Sequence, residues 1–255
     1  MMPKLPQVFR YPNKDLVAQS AAARLLLLLS DETATRDVVH ISITGGSLGA
    51  GIWSKVAASP LVNTVAWEKV HVWWSDERFL PEGHDERNAQ QAFDAFFAEG
   101  PMPKANAHIM GSATAFTSED AAAQAYAEEL AAHADAGAAS PDFALSLLGM
   151  GPDGHIASLF PERSEILSEI DGVLAIRESP KPPPERTTMT LPMINRSERI
   201  WFLVAGGDKQ DAFQRLLAHR HQEEASSEVL QETPAVGARG RTETLYLAAQ
   251  DVFSD

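Results

Sequence analysis

The stretch VVHISITGGSLGAGIWSKVA, residues 38–57, decides the fold class, because it predicts a strand, a glycine-rich turn and a helix in that order. Apolar, β-branched residues dominate Val38–Ile43, which is typical of a buried strand. Leu48–Ala57 carries apolar residues at helical spacing and is predicted as a helix. A strand that leads directly into a helix is the repeating unit of α/β proteins, so this stretch favours a parallel sheet with covering helices.

The same alternation of strands and helices continues along the chain. Further strands are predicted at Val70–Trp74, Ala144–Leu148, Gly172–Ile176, Thr188–Leu191, Ile200–Ala205 and Thr244–Leu247. Further helices are predicted at Asn13–Leu29, Glu86–Ala98, Ser118–Ala132 and Lys209–His219. We therefore predict an α/β fold with a mainly parallel central sheet and helices on both faces. No internal repeat and no clear linker interrupts the pattern, so a single domain is expected over residues 1–255.

Charge and composition argue against several classes of partner. The 35 acidic residues outnumber the 21 basic ones and give a formal net charge of −14, which repels nucleic acid and anionic lipid. The apolar run Ala21–Asp31 is interrupted by Arg24 and is shorter than the roughly 18 residues that a membrane span needs. The absence of cysteine fits a reducing compartment. We expect a cytoplasmic protein with no nucleic-acid or membrane partner, and the sequence carries no signal for an oligomeric state.

The turn at residues 44–47 allows three interpretations. Gly45-Gly46-Ser47-Leu48-Gly49 matches G-x-S-x-G, the pattern around a serine-hydrolase nucleophile, but that pattern normally follows several strands and an oxyanion loop. Glycine N–H groups at a helix N-terminus also bind phosphate, and Ser47 can cap the helix and donate its hydroxyl. A plain strand-to-helix turn is the third interpretation.

Charged residues directly follow the predicted strand Val70–Trp74. The planar guanidinium of Arg78 can bind an anionic or carbonyl oxygen, and Asp76 can orient a water molecule, a hydroxyl or another side chain. A surface ion-pair cluster formed by Asp76, Glu77 and Arg78 is the alternative interpretation.

Polar residues also follow the predicted strand Ala144–Leu148. The segment Gly149–Gly154 matches the dinucleotide pattern G-x-G-x-x-G. However, Asp153 would repel a pyrophosphate and His155 stands where a helix would begin, which disfavours an NAD-dependent oxidoreductase. Since histidine accepts a proton near neutral pH, the loop instead indicates acid–base chemistry by His155 together with Asp153.

A fourth loop, VAGGDKQDAF at residues 204–213, again joins a strand to a helix through glycines. Lys209 in the first turn of a helix is electrostatically unfavourable unless an anion binds there, and an exposed lysine is the alternative. Ligands bind at the carboxyl ends of parallel strands, so the four loops are expected to meet in one cleft. No H-E-x-x-H motif occurs, and the spacing of His219 and His221 does not suit a metal site.

Five motifs, in this order and spacing, resemble the 6-phosphogluconolactonase family: TGGSL, SDERFLP…RN, LGMGPDGHIASLFP, SPKPPPERTTMTLP and GGDKQDAF. The resemblance extends from about Phe9 to Leu247. It implies a three-layer α/β/α Rossmann-like fold and hydrolysis of 6-phosphoglucono-1,5-lactone, a small phosphosugar lactone of the pentose phosphate pathway, without metal or organic cofactor. It also implies that His155 is the general base and that Gly45, Gly46, Ser47, Arg78 and Lys209 bind the phosphate.

Glucosamine-6-phosphate deaminases share this fold and are the main alternative within the resemblance. Asp76 and His155 do not separate the two activities. The deaminase motif typically continues AFNEP, with a glutamate that helps to open the sugar ring, and Phe160 stands at that glutamate position. Because phenylalanine transfers no proton, the sequence favours the lactonase. A non-catalytic sugar-phosphate sensor on the same fold is a further alternative.

The chain departs from the family pattern in a few places. Ile156 replaces a common threonine, the C-terminal strand TLYLAAQDVF is atypical, and the polar segment His219–Glu232 is an elaboration. In the proline-rich segment Ser179–Thr188, Arg186 is expected either to close over the substrate or to form an exposed ion pair.

Overall fold

The strands of the protein form two sheets of different kinds. The computed structural model describes residues 5–222 and 224–254. In chain order the strands are β1 (Gln7–Tyr11), β2 (Val39–Ile43), β3 (Val70–Trp74), β4 (Asp76–Arg78), β5 (Ala107–His108), β6 (Leu145–Gly149), β7 (Val173–Ile176), β8 (Arg186–Met189), β9 (Arg199–Val204) and β10 (Glu243–Ala249). The α-helices are α1 (Lys14–Thr35), α2 (Gly46–Ala57), α3 (Asn88–Ala92), α4 (Glu119–Ala132), α5 (Leu191–Ile194), α6 (Gln210–Ala218) and α7 (Ser227–Glu232).

Seven of these strands form a parallel sheet in the order β1-β10-β9-β6-β2-β3-β5. Ile43 at the end of β2 lies beside Trp74 at the end of β3, and Gly149 at the end of β6 lies beside Leu203 of β9. The carboxyl ends of these four strands therefore meet at one edge of the sheet. This arrangement confirms the predicted α/β fold with a mainly parallel central sheet.

Helices cover both faces of this sheet, because successive side chains of a strand point to opposite sides. In β9, Trp201 and Leu203 join the core that contains buried residues of α1 and α2. Phe202 and Val204 join the core on the other face, which includes Phe213 of α6. The strands are thus buried on both sides, as parallel strands in α/β proteins are.

The smaller sheet is antiparallel and has the order β4-β8-β7. The predicted strands Gly172–Ile176 and Thr188–Leu191 fall in this sheet, outside the parallel one. The bounds of the second prediction are wrong, because the strand ends at Met189 and Thr190 caps α5. The Thr190 hydroxyl accepts a hydrogen bond from the Met193 N–H at 3.3 Å, which starts the helix.

The sequence pattern predicts none of the strands β1, β4 and β5. β4 is a run of three charged residues, and β5 contains only two residues, so neither shows an apolar alternation. β1 is an edge strand with no fully buried residue. In each case the partner strand, rather than local composition, stabilises the extended backbone.

Helix α1 extends six residues beyond the predicted end at Leu29. It begins where the Asn13 side chain accepts the Leu16 N–H at 3.0 Å, and its Leu25 and Leu26 are fully buried. The leucine run is therefore part of the core. Among residues 5–222 and 224–254, no helix has the length and apolar character needed to cross a membrane.

The predicted helix Glu86–Ala98 begins two residues later than expected. α3 starts at Asn88 because the N–H groups of Asn88 and Ala89 both donate to the buried Glu77 carboxylate. Its path continues as a π-helix over Phe93–Phe97, which packs against α2.

Candidate active site

The four predicted loops meet in one cleft at the carboxyl edge of the parallel sheet. The cleft has a volume of about 330 Å³. Most of the predicted site residues line it, namely Gly45, Gly46, Ser47, Asp76, Arg78, His155, Arg186 and Lys209. The remaining predicted residue, Asp153, contacts His155 directly.

His155 is held in one orientation by Asp153, two residues earlier in the loop after β6. The His155 Nδ1 atom lies 2.5 Å from Asp153 Oδ1, and the backbone N–H of His155 donates to the same oxygen at 3.3 Å. Because a carboxylate only accepts, Nδ1 carries the proton and Nε2 presents its lone pair. The ring is therefore set up to accept a proton at Nε2.

Two glycines in this loop are required by its geometry. Gly154 has φ +92°, in the region that favours glycine. A Cβ on Gly151 would lie 2.0 Å from His155 Nδ1, so the imidazole occupies the space of the absent side chain. No helix begins directly after Gly154 in the described chain, so the G-x-G-x-x-G glycines position His155 and do not form a dinucleotide turn.

Lys181 also contacts this pair, although the sequence did not indicate it. Its Nζ lies 3.2 Å from Asp153 Oδ1 and 3.2 Å from His155 Nδ1. Partial burial raises the pKa of Asp153, but the hydrogen bond from His155 and the charges of His155 and Lys181 outweigh burial. The net result is a pKa for Asp153 well below its usual range, so this carboxyl is ionised at neutral pH.

Phe160 and Arg186 form the wall beside the imidazole. The Phe160 ring is fully buried, and its centroid lies 4.6 Å from that of His155. The Arg186 guanidinium lies over the Phe160 ring, 5.5 Å from its centroid. This apolar ring excludes water from the side of His155 that faces Phe160. It also means that position 160 has no group that can transfer a proton.

Arg186 is buried, which overturns the expectation of an exposed ion pair. Only 4% of the residue is exposed. Its guanidinium donates to the carbonyl oxygens of Lys181, Pro182 and Pro183 at 3.0–3.1 Å. Burial lowers the pKa of Arg186, and the negative charge of Asp76 opposes that effect. Arg186 thus anchors the proline-rich segment while facing the cleft.

Asp76 lies at the floor of the cleft with both carboxylate oxygens hydrogen-bonded. Oδ2 accepts from the Ser158 hydroxyl at 2.7 Å, and Oδ1 accepts from the Asn88 amide at 3.3 Å. The residue is 5% exposed, so the interpretation of residues 76–78 as a surface ion-pair cluster is wrong. Asp76 orients neighbouring side chains, one of the roles expected for it.

Glu77 is fully buried and has a structural role that sequence analysis missed. Its carboxylate accepts the backbone N–H groups of Arg78, Asn88 and Ala89 at 2.7–2.9 Å, and it pairs with Arg87 at 3.6 Å. Burial raises the pKa of Glu77, and Arg87 and the three N–H groups oppose that shift. In the sequence, this role could have been indicated by one pattern: an acidic residue that is separated from the start of a predicted helix by a single loop.

Arg78 and the first glycine turn form one end of the cleft. The Arg78 guanidinium donates to the Glu86 carbonyl, while its buried Nε has no partner among the described residues. Gly45 packs so closely on Asn88 that a Cβ would lie 1.9 Å from the amide oxygen. Ser47 is exposed in the first turn of α2; it is not the N-cap as expected, because Gly45 occupies that position.

Lys209 lies at the junction between a short 3-10 turn, Gly207–Lys209, and α6. The predicted helix Lys209–His219 therefore begins one residue later, at Gln210. Burial lowers the pKa of Lys209, and the nearby positive charges of Lys14 and Lys181 lower it further, against the opposing charge of Asp208. A desolvated ammonium among other cations is a favourable position for an anionic ligand.

The fold and the cleft define an α/β protein that holds an oriented histidine among cationic side chains. Comparison with known proteins gives a narrower assignment. The family model "Glucosamine-6-phosphate isomerases/6-phosphogluconolactonase" matches residues 12–246. A 6-phosphogluconolactonase from Streptomyces coelicolor is 40% identical over 250 residues, which cover 96% of this chain and 93% of that protein. The chain belongs to the glucosamine-6-phosphate isomerase/6-phosphogluconolactonase family.

Solved structures confirm the fold. The 6-phosphogluconolactonase of Thermotoga maritima superimposes with a TM-score of 0.79 at 22% identity, covering 96% of this chain and 100% of that one. A monomeric glucosamine-6-phosphate deaminase superimposes with a TM-score of 0.77 at 17% identity, covering 96% and 98%. Both branches of the family thus share the fold, and the fold alone does not separate their reactions.

Proposed function

We propose that the protein hydrolyses 6-phospho-D-glucono-1,5-lactone to 6-phospho-D-gluconate, the second step of the oxidative pentose phosphate pathway. The observation that carries this function is an imidazole, His155, oriented by Asp153 and facing a cleft with several cationic side chains. The relative named for this activity, 40% identical over nearly the whole chain, supports the same reaction. The cysteine-free sequence fits a reducing compartment, and we propose the cytoplasm as its location.

His155 acts as the general base in the proposed mechanism. Its Nε2 removes a proton from a water molecule, and the water oxygen attacks the lactone carbonyl carbon. The tetrahedral intermediate then collapses, the bond from that carbon to the ring oxygen breaks, and the ring oxygen takes the proton from His155. Asp153 keeps the ring oriented and stabilises the imidazolium that forms between these two steps.

Arg78, Lys209 and the Gly45–Ser47 turn bind the substrate phosphate. Arg78 offers a planar guanidinium whose Nε lacks a partner among the described residues, and Lys209 offers a partly buried ammonium. The first N–H groups of α2 have no intrahelical acceptor and favour an anion. These groups provide local positive charge on a chain whose net charge is −14.

Phe160 argues against the deaminase reaction in this cleft. Opening an aminosugar ring needs a group that donates a proton to the ring oxygen, and Phe160 has none. Its ring is fully buried and fills the space beside His155. Lactone hydrolysis needs only one base and one water molecule, and His155 can act as that base.

The direct test is lactone hydrolysis measured on freshly generated substrate, with the spontaneous rate subtracted from a no-enzyme control. We expect rapid hydrolysis by the wild type and a loss of about 10²–10⁴-fold in kcat for His155→Ala. Release of ammonia from glucosamine-6-phosphate would instead establish the deaminase. Tight binding of 6-phosphogluconate without hydrolysis would establish a sensor.

A further inference from the structure

Four histidines gather on one face of the parallel sheet, away from the cleft. His40 and His71 lie near the amino ends of β2 and β3, His108 ends the edge strand β5, and His133 directly follows α4. The indole of Trp73 stacks on His108 with ring centroids 3.8 Å apart. The active-site cleft lies at the carboxyl ends of the strands, so this cluster takes no part in the proposed hydrolysis.

Three of these imidazoles are close enough to bind one ion. Nitrogen atoms of His71, His108 and His133 all lie within 4.8 Å of one another. His71 Nδ1 and His108 Nε2 are 2.8 Å apart, and the rings of His108 and His133 meet edge to face at 4.5 Å. Zn²⁺ binds histidine nitrogens at about 2.0–2.1 Å, so ligand atoms at this spacing need to move only slightly.

Glu129 orients two of the three rings. Its Oε1 accepts the Nδ1 proton of His108 at 2.6 Å, and its backbone carbonyl accepts the Nδ1 proton of His133 at 3.0 Å. Nε2 of His133 therefore presents a lone pair, and Nε2 of His108 accepts the Nδ1 proton of His71, which a bound ion would displace. A carboxylate or carbonyl behind the distal nitrogen is the usual support of a metal-binding histidine, because it fixes the tautomer and raises ligand basicity.

His40 is excluded as a ligand by its own hydrogen bond. Its Nδ1 accepts the indole N–H of Trp73 at 3.0 Å, so that lone pair is occupied. The ring packs beside His71, at 5.1 Å between centroids, and covers the inner side of the cluster. His133 is exposed and His71 half-buried, which leaves a path from solvent to the three nitrogens.

We propose that His71, His108 and His133 form a binding site for one divalent transition-metal ion of the zinc class, with water as the fourth ligand. Imidazole ligands suit Zn²⁺, and Mg²⁺ and Ca²⁺ prefer oxygen. The ion would join β3, the two-residue edge strand β5 and the end of α4. Its expected effect is to stabilise this edge of the sheet by binding the folded state only.

The test is a calorimetric titration of Zn²⁺ into wild-type protein stripped of metal with a chelator and dialysed, at pH 7.5. We expect one saturable equivalent of Zn²⁺ and none of Mg²⁺. His133→Gln changes an exposed side chain and should weaken zinc binding by at least about 100-fold, since it removes a ligand outright. Glu129→Ala, which leaves all three ligands, should weaken it by about 10–100-fold.

Two control variants test whether zinc binds to histidines outside the cluster. His221→Gln alters another exposed histidine and should bind zinc like the wild type. His155→Ala should do the same, because the cleft histidine is no ligand. Zinc should also raise the Tm of the wild type, by a few degrees, and leave that of His133→Gln unchanged. Absence of saturable binding, equal affinity in His133→Gln, or loss of binding only in His155→Ala would overturn the site.

Discussion

Asp153 Oδ1 lies 2.5 Å from His155 Nδ1, and the two residues are separated by a single glycine. This short separation makes the orientation of the imidazole a property of the loop itself. Lys181, which reaches the same oxygen at 3.2 Å from a different segment, adds a positive charge that keeps the carboxyl ionised. The cleft therefore holds this imidazole in one tautomer before any substrate arrives.

Asp153→Asn should lower kcat strongly and change KM little. The amide can accept or donate at Nδ1, so the ring loses its fixed tautomer and the imidazolium loses its counter-charge. We expect a fall in kcat of about tenfold or more, smaller than the 10²–10⁴-fold loss expected when the base itself is removed. Asp135→Asn, at an exposed position outside the cleft, is the matched control and should leave both constants unchanged.

The lowered pKa of Asp153 also predicts how the free energy of unfolding changes in acid. Its pKa in the folded state lies below the unfolded value, since His155 and Lys181 favour the charged form. The stabilisation that the ionised Asp153 provides is therefore fully present above the unfolded-state pKa of about 3.9. It is lost as the pH falls toward the pKa of the folded state. Urea unfolding of wild type and Asp153→Asn should differ by a constant amount at pH 5–6 and converge below pH 4. A difference that grows in acid would contradict this sign.

Lys209→Ala should raise KM with less effect on kcat, because in the proposed complex the ammonium contacts the phosphate and not the carbonyl. A hydrogen bond to a charged group contributes about 1.5–3 kcal/mol, which corresponds to about 10–100-fold in KM. Steady-state kinetics give both constants. Lys104→Ala removes an exposed lysine elsewhere and should behave as the wild type. An unchanged KM for Lys209→Ala would remove this residue from the phosphate site.

Ser47→Ala distinguishes a phosphate ligand from a nucleophile. Ser47 is exposed in the first turn of α2, and the structure assigns it no hydrogen bond to a general base in the described residues. We expect a several-fold higher KM and a kcat within about tenfold of wild type. Mass spectrometry during turnover should find no acyl adduct. Complete loss of turnover, or an adduct on Ser47, would restore the nucleophile hypothesis.

Glu77→Ala should destabilise the protein more than any change at the surface. It leaves the Arg87 charge buried and three backbone N–H groups without an acceptor. Removing one partner of a buried pair costs about 3–5 kcal/mol, measurable as a lower midpoint in urea. Glu82→Ala, at an exposed position five residues on, should shift the midpoint by no more than about 0.5 kcal/mol.

The sequence predicts the fold and the clustered loops because both depend on local patterns. Strands such as Val70–Trp74 are mainly apolar, and loops that follow parallel strands meet at the carboxyl edge of the sheet. The family assignment is confirmed, while the roles of His155, Arg78 and Lys209 stay predictions. The histidine cluster was not predictable, since His71, His108 and His133 come from separate elements, one of them a two-residue strand.

The contacts of Lys181 and Arg186 in the site were likewise not predictable from the sequence. Their segment is rich in proline and carries no pattern that indicates a contact with His155, 26 residues away. Burial of Arg186 depends on carbonyl groups that converge only when that segment folds back on β8. Contacts of this kind are set by tertiary packing, so local propensity gives no signal for them.

The pairing of β4 with β8 also has a consequence for synthesis on the ribosome. Asp76 appears early in the chain, but the hydroxyl of Ser158 that it accepts from is translated 82 residues later. β8 and Lys209 are later still. A nascent chain that has emerged only to His155 carries this imidazole without Phe160 and Lys181, which contact it in the folded protein. Fragments of the protein should therefore be inert, and the enzyme gains its activity only when nearly its full length has been made.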